Sequence, residues 1–203
     1  DAVRTDLVRM HRLVLDQLRR GLASFAERDV ALADVVIDRD DVVDNLNIAV
    51  EERAIAGLSL AGGDDERRLL RAALKVAANL ERAGDAACHI AERTRIAARE
   101  GRGPVPIPFP RLEALATISL DEAMRGFIEL DPQMARRACE REPEVDAEYV
   151  AQVKRLEQAV REDPAATASY LDAYAVMKYL EKIADYSLNI GEQALFVMTG
   201  RRL

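Results

Sequence analysis

Four pairs of carboxylates in this chain have a spacing that could do chemistry. Glu81 and Asp85 stand four residues apart, and so do Glu181 and Asp185, Asp40 and Asp44, and Glu142 and Asp146. On a helix this spacing puts both carboxylates on one face, about one turn apart. Like charges so placed repel, and four such pairs ask for compensating positive charge. One source is a bound cation, because hard divalent and trivalent ions are bridged by carboxylate oxygens from facing helices. The other is a solvated acidic stripe neutralised by its own neighbours, and Arg39, Arg82, Lys178 and Lys182 all lie within a turn. His89 stands one further turn along from Asp85, placed either to add a nitrogen ligand or to serve at the surface. The corresponding residue of the later pair is Asn189, a poorer donor.

Catalytic alternatives find little material. Carboxylate-bridged di-iron bundles combine Glu with Glu-x-x-His, a spacing this sequence lacks. His11 and His89 are the two histidines, too few for a histidine-dependent triad to be a natural reading. There is no phosphate-cradling Gly-x-x-x-x-Gly-Lys loop. The net charge of −7, the absence of Trp, and only five Tyr and four Phe argue against nucleic-acid binding, since phosphate neutralisation and base stacking would both be weak. Cys88 and Cys139 each fall in a helical pattern and read as buried small apolar residues in a reducing cytoplasm. No apolar run approaches the ~20 residues that span a bilayer.

The elements that must carry these carboxylates are helices. Gly and Pro number only 10 and 7, and Ala, Leu, Arg and Glu are abundant. Breaks at Arg28-Asp29, Ala61 to Asp64, Gly101 to Pro110, Asp131-Pro132 and Asp163-Pro164 predict helices over about 2–27, 30–60, 64–99, 111–129, 132–161 and 166–199. The Glu142-Pro143 step predicts a kink or a late start in the fifth. Prolines at 104, 106, 108 and 110 favour an extended, polyproline-like path that divides the chain near its midpoint. Leu69, Ala73, Val76, Leu80, Ala83, Ala87, Ile90 and Thr94 recur in steps of four and three, a bundle seam with small residues that permit close approach. Tyr170, Val176, Leu180, Ile183, Ser187, Ile190, Ala194 and Val197 predict a second seam.

The two sides of the proline-rich segment are repeats of each other. Leu80-Glu81-Arg82-Ala83-Gly84-Asp85 with Ile90-Ala91-Glu92 returns 100 residues later as Leu180-Glu181-Lys182-Ile183-Ala184-Asp185 with Ile190-Gly191-Glu192. Ile37-Asp38-Arg39-Asp40 with Val43-Asp44 returns at an offset of 102 as Cys139-Glu140-Arg141-Glu142 with Val145-Asp146, and Asp29 as Asp131. The expected fold is therefore all-α: two tandem antiparallel three-helix bundles related by internal duplication, spanning 1–100 and 111–203 and joined by a linker at 101–110.

These residues resemble a known family. Leu80 to Ala87 followed by Ile90-Ala91 is similar to the Leu-Glu-Arg-Ile-Gly-Asp signature of PhoU, the bacterial phosphate-uptake regulators. Val36-Ile37-Asp38 with Asp40 to Asp44 resembles the family's other carboxylate segment, and Asn189 to Glu192 running to Gly200 resembles its ending. The resemblance implies two three-helix bundles. It also implies a metal ion or cluster of iron or zinc type, held by Asp40, Asp44, Glu81 and Asp85 and, in the second repeat, by Glu142, Asp146, Glu181 and Asp185. It further implies a cytoplasmic, non-enzymatic repressor of phosphate-starvation genes. Its expected partners are a phosphate ABC transporter ATPase and a sensor histidine kinase; it would reach the membrane only through them, and a homodimer is an open form of assembly. Departures from the pattern are the absence of the proline that opens the family's third helix, Lys182 and Ala184 in the second signature, and Pro143 after Glu142.

Overall fold

The computed structural model describes residues 2–103 and 107–201. The extended path expected at Pro104, Val105 and Pro106 lies outside the described residues.

Helix α1 runs Ala2–Glu27, α2 Val30–Ile37, α3 Asp40–Leu60 and α4 Asp64–Arg99. After the midpoint come α5 at Pro110–Glu129, α6 at Pro132–Glu162, a single 3-10 turn at Pro164–Ala166, and α7 at Thr167–Thr199. No strand occurs among the described residues. None of the described helices is long and apolar enough to cross a membrane.

Two expectations about helix boundaries are corrected. The single helix expected over 30–60 is broken at Asp38-Arg39 into α2 and α3. Aspartate favours helix starts over interiors, and Asp40 and Asp41 occupy the first turn of α3, where the helix dipole favours anions. Arg39, freed from helical geometry, reaches Asp16 on α1 at 3.4 Å. Conversely, α6 already starts at Pro132 and includes Pro143, so the late start is not taken. Ala138 and Val145, on either side of that proline, are fully buried, so packing holds the helix where propensity alone would end it.

The duplication is visible in backbone detail. Arg28 and Leu130, 102 residues apart, both take left-handed φ values, 57° and 53°. In each case the next residue is an aspartate whose side chain caps the following helix, Asp29 for α2 and Asp131 for α6. The amide of Asp29 bonds Ser24 O and that of Asp131 bonds Gly126 O, both at 3.0 Å. These are the same helix–helix turn made twice.

The two halves share one apolar core, joined chiefly where α4 and α7 pack side by side. The seam residues on both helices are buried except Leu69, near the exposed start of α4, and Val197, half-buried near the end of α7. Two contacts across this junction exchange under the 100-residue offset. Asn189 donates to Asn79 at 3.3 Å, and His89 stacks on Tyr179 with centroids 5.2 Å apart. Residues 79 and 179 are equivalent, as are 89 and 189, so α4 and α7 run antiparallel about an approximate twofold axis. Beyond the end of α4, Arg102 grips the buried Asp172 of α7 with two hydrogen bonds of 2.8 Å.

Small residues set how closely these helices approach. At Gly126 a Cβ would lie 2.7 Å from the backbone nitrogen of Ala135, with no flexible side chain to yield. Gly126→Ala should therefore lower stability by about 1–3 kcal/mol in urea denaturation, although Ala is the better helix former. Gly57→Ala, whose methyl would meet only the tip of Leu70, should be neutral or stabilising by up to ~1 kcal/mol.

Candidate metal centre

Packing of α3 across the middle of α4 brings the first-half carboxylates together. Val43 is buried on the inner face of α3 and lies against Gly84, where a Cβ would come within 3.3 Å of it. This close approach sets the first turn of α3 beside the α4 turn that starts at Glu81. One carboxylate oxygen from each of Asp40, Asp44 and Asp85 lies within 4.8 Å of the others, the one such group of three acidic, histidine or cysteine ligands among the described residues. Asp40 and Asp85 are half-buried and Asp44 is exposed.

The electrostatics at this crossing are dominated by negative charge, with only smaller opposing effects from Arg82 and His89. Burial, followed by the charges of Asp40 and Asp41, raises the Asp44 carboxyl above the usual carboxylate range. Burial, then Asp85 and Asp44, does the same to Glu81, against a smaller opposing effect of Arg82. Burial, then Asp40 and Asp44, raises Asp85. Glu81 thus shares the field of the trio without joining its group of three. Arg39, a neutralising candidate in the sequence, is turned to Asp16 instead. Hard oxygen donors on two facing helices, with raised carboxyl pKa values, form a donor set that fits a multivalent cation.

The second half meets the same problem differently. Burial, then Asp146, Asp185 and Glu181, raises the Glu142 carboxyl, so this quartet also shares one field. Here, however, lysines from the same helix supply the positive charge. Lys178 Nζ lies 2.8 Å from Glu181, and Lys182 Nζ lies 2.8 Å from Asp185 and 3.8 Å from Glu181. Residue 78, the first-half equivalent of Lys178, is Ala. Glu142, Asp146, Glu181 and Asp185 do not form a second group of three at ligand spacing.

His89 takes the surface position that was one of its two readings: it is exposed and stacked on Tyr179, outside the ligand trio although its charge is felt at Asp85. The cysteines differ in part from their sequence reading. Cys139 is half-buried, where full burial was expected, and burial followed by Glu192 and Glu140 raises its thiol to about 11. Cys88 is buried as expected, but it is not merely apolar filling: its Sγ lies 3.1 Å from Asp40 Oδ1. Burial, then the bond to Asp40, raises its pKa strongly, so the thiol keeps its proton and donates it to the carboxylate. The i,i+3 spacing of Cys88 from Asp85 was the signal in the sequence, and only the contact to Asp40 gives it meaning.

The comparisons with known proteins agree with this architecture. The PhoU domain family matches residues 7–94 and again 109–194, one match per half. The chain belongs to the PhoU family. A "Phosphate-specific transport system accessory protein PhoU homolog" of Xylella fastidiosa is 27% identical over 201 residues, covering 98% of this chain and 84% of that protein. The Caulobacter vibrioides homologue is 29% identical over 201 residues, covering 98% and 87%. The crystal structure of PhoU from Pseudomonas aeruginosa superposes with a TM-score of 0.93 at 25% identity, over 98% of this chain and 97% of that one. PhoU from Streptococcus pneumoniae, at 20% identity and a TM-score of 0.89, shares the fold.

The raised carboxyl pKa values carry a sign that can be measured. Groups that bind protons more tightly in the folded state destabilise it where they are ionised, and stability recovers as pH falls through their folded pKa values. Asp85→Asn should therefore stabilise the metal-free protein at pH 7 by a few tenths of a kcal/mol. That gain should fade on acidification through the raised carboxyl range, and a melting-temperature series against pH for both proteins checks it.

Proposed function

We propose that this PhoU family chain is a cytoplasmic, non-enzymatic negative regulator of phosphate uptake and of the phosphate-starvation response. In this reading it is an adaptor between a phosphate ABC transporter ATPase and a sensor histidine kinase. A metal ion or cluster of iron or zinc type is held in the first half by Asp40, Asp44 and Asp85, with Glu81 adding charge from the same face. The carrying observation is the pair of family matches, one in each half, which together take in most of the chain. The printed role of its relatives, accessory to phosphate-specific transport, supplies the biological setting.

The chemistry of the crossing supports a binding role over a catalytic one. A cation bridging α3 and α4 would remove the repulsion between them and fix the relative position of their outer surfaces. Those surfaces carry Val42, Ile48 and Ile55, exposed apolar side chains on a helix otherwise rich in acid. A partner protein would read that surface only in the geometry the cation imposes. In the second half, Lys178 and Lys182 supply the charge, and we propose that it holds its shape without metal.

The test is genetic. In a strain lacking its own copy, the wild-type protein should restore repression of a phosphate-responsive reporter in phosphate-rich medium. Glu81→Ala with Asp85→Ala should fail to restore it while keeping normal helicity and protein level, because two half-exposed changes to Ala cost a helix little. The matched change at Glu181 and Asp185 should have a smaller effect. Full repression by both double variants would contradict the proposal.

A further inference from the structure

Helix α3 has an outward face on which large apolar side chains stand among acids. We propose that this face is the docking site for a basic amphipathic helix of a partner protein. The partner's apolar stripe lies along Ile48 and Ile55, and its lysines or arginines meet the surrounding carboxylates. The inference rests on the adaptor role proposed above and names the chemistry of one partner.

The spacing builds the face. Ile48 and Ile55 are seven residues apart, which on a helix is two turns, or about 10.5 Å along one side. They are 52% and 53% exposed, whereas Val43, Leu46, Val50 and Ala54 on the other side of α3 are buried. Isoleucine is a weaker helix former than Glu, Lys or Ala, so neither local propensity nor the core accounts for the pair. By helical rotation Glu51 falls on one flank of this ridge and Asp41 and Glu52 on the other. All three are exposed, and among the described residues none takes part in an ion pair. Arg53, the single base of α3, is turned to Asp6 of α1.

The second half shows that the fold does not demand such a face. At the 102-residue offset Ile48, Glu52, Ile55 and Ser59 correspond to Val150, Lys154, Glu157 and Arg161, all exposed on α6. One apolar side chain stands there, not two in line, and the charges beside it are of both signs. That is the composition of an ordinary solvated helix face. The α3 face instead combines an apolar ridge with charge of one sign. This is complementary to a cationic protein surface, and it repels an anionic membrane or a nucleic acid.

A helix is the shape that fits this ridge. No strand edge is present among the described residues, so an extended segment has no backbone to pair with, and the contact must be made by side chains. A helix laid beside α3 with apolar residues at i, i+3 or i+4, and i+7 sets them against Ile48, Ile55 and the turns between. Bases bordering that stripe then lie against Asp41, Glu51 and Glu52. Binding of this kind needs both apolar contact and charge, and it weakens with salt.

The test uses the full chain with zinc(II) present and two synthetic helical peptides of one apolar pattern, the first of leucine and lysine, the second of leucine and glutamate. Binding is followed by fluorescence anisotropy. The lysine peptide should bind wild type, more weakly as salt rises, and the glutamate peptide should not. Ile48→Ala with Ile55→Ala leaves the charge unchanged and favours the helix, and it should weaken the lysine peptide at least about tenfold. Glu51→Gln with Glu52→Gln should weaken it and flatten the salt dependence. Val150→Ala with Glu157→Gln, on α6, should change neither. Equal binding of the lysine peptide to wild type and to the isoleucine variant, or like binding of both peptides, would overturn the proposal. So would a dimer of the chain alone, seen by sedimentation, that the isoleucine changes dissociate, because a second copy then occupies the face. Adsorption to phosphatidylserine vesicles that the same changes abolish would overturn it too. In the reporter strain the isoleucine variant should lose repression. Full repression by it would overturn the docking face and leave the regulatory reading intact, whereas failure of wild type to repress would overturn the regulatory reading and leave the peptide result standing.

Discussion

Helix α4 has to satisfy four neighbouring helices at once, and the rest of the molecule follows from that constraint. It packs against α1, α2 and α3 of its own half and against α7 of the other. A helix so surrounded cannot carry large side chains all round. Its buried positions include Ala72, Ala73, Ala77, Ala83, Gly84, Ala86, Ala87, Ala91 and Ala97. Small residues let the backbones approach closely: at Gly21 of α1 a Cβ would come within 2.9 Å of the Ala87 carbonyl. With α4 fixed this tightly, whatever stands on its remaining edge is held rigidly against whatever crosses there. That edge carries Glu81 and Asp85, and what crosses is the acidic first turn of α3.

The two halves answer the resulting repulsion in different ways. The second half carries its own counter-charge in Lys178 and Lys182, held at bonding distance from Glu181 and Asp185. The first half has Ala78 at the equivalent of Lys178, its Arg82 at the equivalent of Lys182 is exposed and opposes the acidic field only in part, and its Arg39 is turned to Asp16. The pattern keeps its carboxylates in both copies but places two lysines beside them in the second half alone. On the reading developed here, one half is a metal-dependent unit and the other is a fixed platform against which it is read.

Much of this was legible in the chain. The periodic seams over 73–94 and 176–194 located the buried faces of α4 and α7, because a four-three repeat of apolar residues has few other ways to be satisfied. The repeat of Leu-Glu-x-x-x-Asp located the duplicated fold. Helix continuity was less legible: a run of aspartates broke the chain at 38–39 without any proline, and Pro143 failed to break it because Ala138 and Val145 are buried on both sides. The charges were half legible. That Lys178 and Lys182 lie within a turn of their carboxylates is a property of spacing, whereas the diversion of Arg39 to α1 depends on where the break sends it. Cys88 was hidden because a small residue on a buried face looks like packing until its neighbour on another helix is known. That neighbour, Asp40, lies 48 residues away in sequence.

The central claim is that positive charge comes from outside the chain in the first half and from its own lysines in the second. The most direct measurement is a crystal structure of zinc-loaded protein with anomalous scattering recorded on either side of the zinc edge. Anomalous density is expected at the crossing of α3 and α4, in contact with Asp40, Asp44 and Asp85, and none among Glu142, Asp146, Glu181 and Asp185. Equal density in both halves, or density in the second half alone, would contradict it.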